Sequence, residues 1–223
     1  MLIKANDEAI LNIQEIFRHI HHLQYEEAFF LSSVIIERKD NGDQLFHEWI
    51  KALTEFYSCN KKNTAIQLLE KIKPNKLENE IHFKIINSLM CFYIETGYEK
   101  EFFKYKEVLS SNLHNLKSEE FLIKIMCNFC NGLYEFKYYK KSLEYCGKSI
   151  EISQKHRLFD FDFSKIIMIK ILNLLYLGEI TKAKNQKNDF ETFLKITNNI
   201  SDMELLEKCI KKYNKQMLHK KNI

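Results

Sequence analysis

One position recurs along this chain at an interval close to forty residues. Its occupants are Ala28, Ala65, Phe102, Ser142 and Ala183, and all but Phe102 are small. A period of roughly 20–50 residues is the signature of repeat architectures, in which each repeat is one supersecondary unit. We therefore predict five helical hairpins, with the recurring position near the start of each second helix.

The stretch from Phe121 to Ser153 shows what one repeat contains. Its first half carries an apolar stripe at spacings of three and four, formed by Ile123, Met126, Phe129, Cys130 and Leu133. Its second half carries a further face around Leu143, Cys146 and Ile150. The series Tyr139, Ser142, Cys146 and Ser149 matches the aromatic and small positions of a tetratricopeptide repeat (TPR). One hairpin cannot bury two such faces, so neighbouring hairpins are expected to stack on it.

Turn-forming residues are scarce, with only 5 Gly and 1 Pro in 223 residues, which favours long helices joined by short turns. We predict an all-α, right-handed superhelical solenoid of about five degenerate TPR-like hairpins plus a C-terminal capping helix, in a single domain over residues 1–223. The hairpins are placed at 6–39, 43–73, 78–113, 118–156 and 160–197, and the capping helix at 201–219. The expected N-caps are Asp7, Asp43, Ser118, Asp160 or Asp162, and Ser201 or Asp202.

Several protein classes are disfavoured by the sequence. It has no apolar run long enough to cross a bilayer and no basic-then-apolar leader, so we expect a cytoplasmic protein without a membrane span. The six cysteines fall mostly inside apolar helical patterns, which indicates buried, reduced thiols. The net charge of +4 is mild and its lysines are spread over every segment, which is typical of a solvated surface and not of a nucleic-acid patch.

Three segments resemble a known family. They are YYKKSLEYCGKSIEIS (138–153), the preceding IKIMCNFCNGLY, and INSLMCFYIETGY (86–98). Together they look like the C-terminal TPR domain of PlcR-type (RRNPP) Gram-positive quorum-sensing regulators, and the likeness extends from about Ile13 to Tyr213. The resemblance implies that a short signalling peptide lies in the concave groove, with Asn87 and Asn128 holding its backbone. It also implies control of a transcription factor or partner protein, and a homodimer or a heterodimer with a related regulator.

The sequence also departs from the pattern of this family in one respect. Regulators of this type begin with a helix-turn-helix domain, and the phosphatase branch of the group begins with a helical bundle, whereas the first predicted hairpin here starts at residue 6. We therefore expect no direct contact of this chain with nucleic acid. A peptide-independent adaptor or anti-regulator, which pairs with a helix-turn-helix homologue, is the alternative. A factor that stimulates a phosphatase reaction has less support.

The expected site chemistry is hydrogen bonding by amides. An Asn side chain offers a donor and an acceptor, so it can pair with a peptide backbone whatever its sequence. The predicted peptide-binding residues are Asn87, Asn128, Asn131, Lys84, Lys124, Tyr57, Tyr134 and Asn173, with Lys165 and Tyr176 nearby. Lys84, Lys124 and Lys165 recur at one repeat position, which favours an acidic peptide or a free carboxylate, although a solvated face explains them nearly as well.

No catalytic residues, cofactor or metal site are expected. Cys127 and Cys130 form a CxxC pair, but it lies in the middle of a predicted helix within an apolar stripe, without the context of a redox motif. His19, His21 and His22 crowd one helix end, where interaction with the helix dipole explains them as well as a metal does. No nucleophile elbow, phosphate loop or zinc-protease motif occurs, so we predict that the protein is not an enzyme.

Overall fold

A computed structural model describes residues 14–36, 41–159 and 161–221, and within these ranges all regular secondary structure is helical. The all-α class predicted from the sequence is confirmed. The helices are 14–21 (α1), Tyr25–Ile36 (α2), Asn41–Tyr57 (α3), Lys62–Ile72 (α4), Glu80–Thr96 (α5), Glu99–Asn112 (α6), Glu119–Glu135 (α7), Tyr139–His156 (α8), Phe161–Tyr176 (α9), Ile180–Ile196 (α10) and Ile200–Lys221 (α11). A short 3₁₀ turn, Leu113–Asn115, follows α6.

The chain divides into two compact units, Met1–Leu116 and Lys117–Ile223. In the first unit α2 packs on α3, α3 on α4, α4 on α5 and α5 on α6, and α3 also contacts α5. In the second unit α7 packs on α8, α8 on α9, α9 on α10 and α10 on α11, with further contacts of α9 with α7 and with α11. Helices α3, α5, α7 and α9 are therefore the first helices of successive hairpins. The single domain over 1–223 stays a prediction.

The recurring position lies where the repeat argument requires it. Its five residues, on α2, α4, α6, α8 and α10, are all at most 1 % exposed. Ser142 on α8 shows why a small residue suits the place, because its Oγ donates to the Cys130 carbonyl of α7 at 2.8 Å. In the first unit the rings of Phe56 and Phe92 stack at 3.8 Å between α3 and α5.

Local signals at the helix ends agree with the sequence in two places. The predicted N-cap Ser118 is confirmed, since its Oγ accepts from the Phe121 N–H at 3.1 Å. The pair Thr96 and Gly97 also predicts a turn between α5 and α6, and this is confirmed, because Gly97 has φ +77° and closes α5 with a left-handed C-cap. Asn79, which the sequence reading did not single out, caps α5 by accepting from the His82 N–H at 3.1 Å.

The cap predicted for α11 is wrong. The role falls to Asn199 and not to Ser201 or Asp202: Asn199 Oδ1 accepts from the Asp202 N–H at 3.1 Å, and Asp202 accepts from Asn199 Nδ2 at 2.7 Å. This reciprocal arrangement resembles a capping box. Helix α3 begins at Asn41, two residues before Asp43. The side chain of Asp43, and Asp7 and Asp160 as a whole, lie outside the described residues.

The structure also bears on the predictions of buried, reduced thiols and of no membrane span. Cys127 and Cys130 are both fully buried in the middle of α7, where they belong to a core cluster with Ile123, Cys146 and Ile166. All six cysteines are free thiols. Within the described residues no helix is both long and apolar enough to cross a membrane.

Candidate functional site

Helix α7 presents one narrow line of side chains to solvent. It is covered by α8 and by α9, and from residue 124 onward the positions that keep exposure are Lys124, Asn128, Asn131, Tyr134 and Glu135. We call these five residues the α7 stripe. Spacings of three and four place them on a single face of the helix. The stripe rises about 16 Å from Lys124 to Glu135, which is the length of about five residues of an extended chain.

A similar line runs along α5 in the first unit. It comprises Lys84, Asn87, Ser88, Cys91 and Glu95, and we call it the α5 stripe. This line is narrower, because Asn87 and Ser88 are only 6 % and 7 % exposed. The Ser88 Oγ accepts from the indole N–H of Trp49 at 2.9 Å, which explains how the only tryptophan of the chain is satisfied inside the core.

The lysine of the α5 stripe already has partners within its own unit. Lys84 Nζ lies 2.7 Å from Glu80 Oε1 and 4.9 Å from the ring centroid of Phe17. Asn87 and Asn128 also make contacts within the chain. A ligand that binds to these side chains must therefore compete with interactions that the protein makes already.

The line of side chains that follows Lys165 along α9 is more apolar and more buried than the α7 stripe. It runs from Lys165 through Ile169 and Leu172 to Tyr176, and the two aliphatic residues are 4 % and 7 % exposed. The ring centroids of Tyr134 on α7 and Tyr176 on α9 lie 5.9 Å apart. This contact joins the C-terminal ends of α7 and α9, two helices that also pack on each other. The second unit thus combines an amide-bearing line with an aliphatic one.

Tyrosines gather where α7 and α9 end. Tyr139 at the start of α8 stacks on Tyr176 at 4.7 Å, and its ring lies 5.9 Å from that of Tyr134. Tyr213 of α11 meets Tyr176 edge-on at 4.9 Å, and its hydroxyl donates to the Leu175 carbonyl at 3.1 Å. Burial, reinforced by Tyr176 and Glu135, raises the pKa of Tyr134. The Tyr134 hydroxyl therefore remains protonated and can donate a hydrogen bond.

Tyr57 occupies the corresponding end of α3 in the first unit. Its hydroxyl donates to Glu95 Oε1 at 3.1 Å, and its ring stacks on Tyr25 at 4.9 Å. Burial, with Cys91 and Glu95 close by, raises its pKa. The residue is 39 % exposed, so part of it remains accessible beside the α5 stripe.

Asn173 is placed differently from the other predicted asparagines. It is fully buried, and its Nδ2 donates to Ser142 Oγ at 2.7 Å and lies 4.0 Å from the Cys146 sulfur. Its Oδ1 has no hydrogen-bond partner within the described residues. The amide joins α9 to α8, and through Ser142 to α7, instead of facing solvent.

Of the predicted peptide-binding residues, the structure places four on the α7 stripe: Lys124, Asn128, Asn131 and Tyr134. It places Lys84 and Asn87 on the α5 stripe, with Tyr57 beside them. The sequence reading missed the acidic residues that close both stripes, Glu95 and Glu135. The interval between them equals the interval between Lys84 and Lys124. The repeat spacing could therefore have identified them. It also missed Tyr139 and Tyr213, which no spacing signal connects.

The described residues contain no group of three or more His, Cys, Asp or Glu side chains that could hold a metal ion. The three histidines predicted as a helix-end group include His21 and His22, whose rings contact each other at 5.6 Å. His19 Nδ1 lies 2.8 Å from Gln24 Oε1. Local contacts at the end of α1 thus account for these side chains.

Stacked helical hairpins with small residues at their contacts and amide-bearing first helices define a protein of the TPR-like helical-repeat class. The sequence profile of the RNPP family C-terminal domain matches residues 13–161, more than half of the chain. The chain therefore belongs to the RNPP family. Members of this family are regulators, so the protein is a regulator and not an enzyme.

Solved structures agree on the fold. PlcR of Bacillus thuringiensis in its apo form matches with a TM-score of 0.78 and 21 % identity, over 93 % of this chain and 80 % of PlcR. The same protein in complex with the peptide PapR7 and DNA matches with a TM-score of 0.75 and 20 % identity, over 90 % of this chain and 74 % of PlcR. No curated protein sequence matches the chain.

A Rap protein complexed with Competence and Sporulation Factor is also similar, with a TM-score of 0.68 and 12 % identity, over 90 % of this chain and 58 % of the Rap chain. At these identities the likeness is one of fold. It confirms the TPR-like helical-repeat architecture predicted from the sequence.

Proposed function

We propose that this chain is an intracellular receptor for a short signalling peptide in Gram-positive quorum sensing, and that it regulates a transcription factor or another partner protein. Membership of the RNPP family supports the proposal, as do the structural relatives that were solved with PapR7 and with Competence and Sporulation Factor. Six free thiols, three of them fully buried, fit a reducing compartment, and we place the protein in the cytoplasm.

The observation that carries the proposal is the pair Asn128 and Asn131 on the α7 stripe. Both are partly exposed, and both lie on a line that is otherwise bounded by buried residues. Their Cα atoms differ in height by about 4.5 Å along the helix, so one extended peptide can reach both. Each amide can donate to a peptide carbonyl and accept from a peptide N–H. The arrangement recognises a backbone and leaves sequence selection to neighbouring side chains.

The other predicted residues receive different parts in the proposal. Lys84, Asn87 and Tyr57 form a second contact surface in the first unit, reached through the narrow opening of the α5 stripe. Tyr134 offers its ring and hydroxyl at the end of the α7 stripe. For Asn173, buried against Ser142, we propose an indirect role, which is to hold α9 at the correct distance from α8.

The test is calorimetric titration with a synthetic library of random linear peptides about six residues long, followed by titration of individual binders. Asn128→Ala and Asn131→Ala each remove up to two hydrogen bonds with a net value of about 1 kcal/mol apiece. We expect each to weaken binding by roughly five- to thirtyfold. Asn185→Ala on α10 is the matched control, because this asparagine is exposed on a second helix. Undiminished binding by both stripe variants would contradict the proposal.

A second candidate is an adaptor that works through a partner regulator without a peptide. It is favoured by exposed apolar side chains at one end of the second unit, where Phe159, Ile196 and Ile200 are 49 %, 80 % and 61 % exposed. Phe159 and Ile200 line a cleft of about 480 Å³. Sedimentation of the wild type and of the double variant Ile196→Ser, Ile200→Ser tests it. A peptide-free complex, with itself or with a related regulator, that the variant loses would favour the adaptor.

A further inference from the structure

Two lysines of the second unit lie on adjacent first helices. Lys124 is in the second turn of α7 and Lys165 in the second turn of α9. The contact between Tyr134 and Tyr176 sets the register of the two helices. Nearer the starts of the two helices, Ile123 and Cys127 of α7 belong to the same core cluster as Ile166 and Ile169 of α9. Lys124 is therefore level with Lys165, at the helix separation of about 8–10 Å.

These two lysines differ from several other lysines of the chain, which form ion pairs with carboxylates on their own helices. Lys84, Lys182 and Lys187 each pair with a carboxylate three or four residues away. Within the described ranges no carboxylate oxygen lies within 4.0 Å of Lys124 or Lys165. Glu120 precedes Lys124 by four residues and Asp162 precedes Lys165 by three, so each carboxylate lies on the same helix face as its lysine. Both ammonium groups are therefore available to a ligand.

The surroundings make the position suitable for an anion. Lys165 is half-buried beside the aliphatic line of Ile169 and Leu172, where a charge interaction is screened less than in open water. Both lysines lie near helix N-termini, where the helix dipoles favour negative charge. Asn128 follows Lys124 by one turn, so a peptide held by the amide passes the lysine pair.

We propose that Lys124 and Lys165 together bind a carboxylate of the peptide, so that the receptor selects peptides with an acidic side chain or a free C-terminus at this place. The proposal rests on the proposed peptide-receptor function and names the chemistry of its ligand. The amides of the α7 stripe bind the backbone without regard to sequence, and the lysine pair selects. The exposed ammonium of Lys124 guides the anion in, and the half-buried Lys165 holds it.

The experiment uses the full chain and two matched libraries of random linear peptides about six residues long, one with free C-terminal carboxylates and one amidated. We expect the wild type to enrich Asp or Glu, or to prefer the free-acid library. For the best binder, Lys124→Gln and Lys165→Gln each weaken binding about two- to fivefold. The affinity of the wild type for this peptide should fall when the salt concentration is raised from about 0.01 M to about 0.15 M, and the fall should be smaller for both variants.

Lys170→Gln is the matched control, since this lysine is also half-exposed on α9 but lies about 140° around the helix from Lys165. It should leave affinity and salt dependence unchanged. Glu120→Gln removes the carboxylate one turn before Lys124 and should tighten binding about twofold. Replacement of Asp or Glu by Asn or Gln in the peptide, compared with C-terminal amidation, shows which carboxylate is bound.

The outcomes separate this proposal from the one on which it rests. Suppose that peptides bind through Asn128 and Asn131, but neither acid-to-amide change in the peptide weakens its binding, or both lysine variants bind it as the wild type does. The lysine pair is then not a carboxylate site, and the receptor function stands. If no peptide of either library binds to the folded protein, both proposals fail.

Discussion

Glu70 on α4 joins three helices of the first unit through one carboxylate. Its Oε1 accepts from the hydroxyl of Tyr93 on α5 at 2.8 Å and from that of Tyr105 on α6 at 2.5 Å. Its Oε2 pairs with Lys73. Tyr93 projects roughly opposite Cys91 of the α5 stripe, because two residues turn a helix by about 200°. We predict that Glu70→Ala destabilises the first unit and loosens the support of that stripe.

The expected magnitude follows from the burial of the partners. A hydrogen bond to a charged group is worth about 1.5–3 kcal/mol. Tyr105 is 2 % exposed, so water cannot replace its acceptor and we assign the full value of about 1.5–3 kcal/mol to this bond. Tyr93 is 9 % exposed and the Glu70 side chain 28 %, so water replaces part of the second bond and we assign it about 1 kcal/mol. The Lys73 pair adds at most about 1 kcal/mol. Together these contributions predict a loss of about 2.5–5 kcal/mol in the free energy of unfolding.

The assay is urea unfolding followed by tryptophan fluorescence. The only tryptophan, Trp49, lies in the first unit, so its signal reports the unit that contains Glu70. A double-mutant cycle with Tyr105→Phe isolates the shared hydrogen bond, and we expect a coupling of about 1–2 kcal/mol. Glu107→Ala, which removes an exposed carboxylate of α6, is the control and should change stability by less than about 0.5 kcal/mol.

Two results would refute this reasoning. One is a loss below about 0.5 kcal/mol for Glu70→Ala, similar to the control. The other is strict additivity with Tyr105→Phe, which would mean that the two side chains do not interact in solution.

The pH dependence offers an independent check on Glu70. Burial raises its pKa, but the hydrogen bonds from Lys73, Tyr105 and Tyr93 outweigh this effect and hold the pKa below its ordinary value of 4.5. The unfolded chain therefore binds the proton more readily than the folded one. The stabilisation is present above pH 4.5 and is lost as the pH falls through the lower folded-state pKa. Glu70→Ala should be less sensitive to acid over that window than the wild type.

Four further outcomes are expected. In urea unfolding, Gly97→Ala should cost about 1 kcal/mol because φ is +77° there. Gly147→Ala, inside α8 with no atom within 4 Å of the new Cβ, should gain up to about 1 kcal/mol. Ser142→Ala should cost about 1–3 kcal/mol, because it leaves the buried amide of Asn173 without its acceptor. Unfolding of these second-unit variants is followed by circular dichroism, since Trp49 lies in the first unit. A thiol reagent should label the exposed Cys59 in the folded protein and Cys130 only after unfolding, since hydrogen bonding to a neighbouring thiol and burial raise the pKa of Cys130.

Much of the fold could be predicted because its signals are local. The cap at Ser118 and the left-handed turn at Gly97 depend on residues within one helical turn of each other. The spacing of apolar residues fixes which face of a helix is buried. The cap of α11 was missed because Asn199, Ser201 and Asp202 can all accept from a backbone N–H, and the sequence does not show which one precedes the first turn.

The candidate stripe on α7 was likewise visible in the sequence. Lys124, Asn128 and Asn131 interrupt an otherwise apolar helix at spacings of four and three, and polar side chains at such spacings share a face. Their position on a partly exposed line agrees with that expectation, while their binding role stays a prediction. Glu135 could have been added from its spacing to Glu95.

Asn173 shows what the sequence could not decide. It follows Asn131 by nearly one repeat and has the same chemistry, yet one side chain is partly exposed and the other is fully buried. The difference arises because Ser142, which lies on another helix and is distant in sequence, supplies an acceptor at 2.7 Å inside the packing of α8 on α9. The tyrosine cluster and the Glu70 network also depend on partners from different helices that are far apart along the chain.

The sequence by itself determined the helices, their apolar faces and the repeat interval, because these follow from the period of the backbone and from contacts within a turn. The tertiary structure alone decided which polar side chains are enclosed and which remain accessible. A polar residue at the edge of an apolar face has the same helical periodicity in either case, and its environment depends on whether a distant helix supplies a hydrogen-bond partner that offsets the cost of its burial.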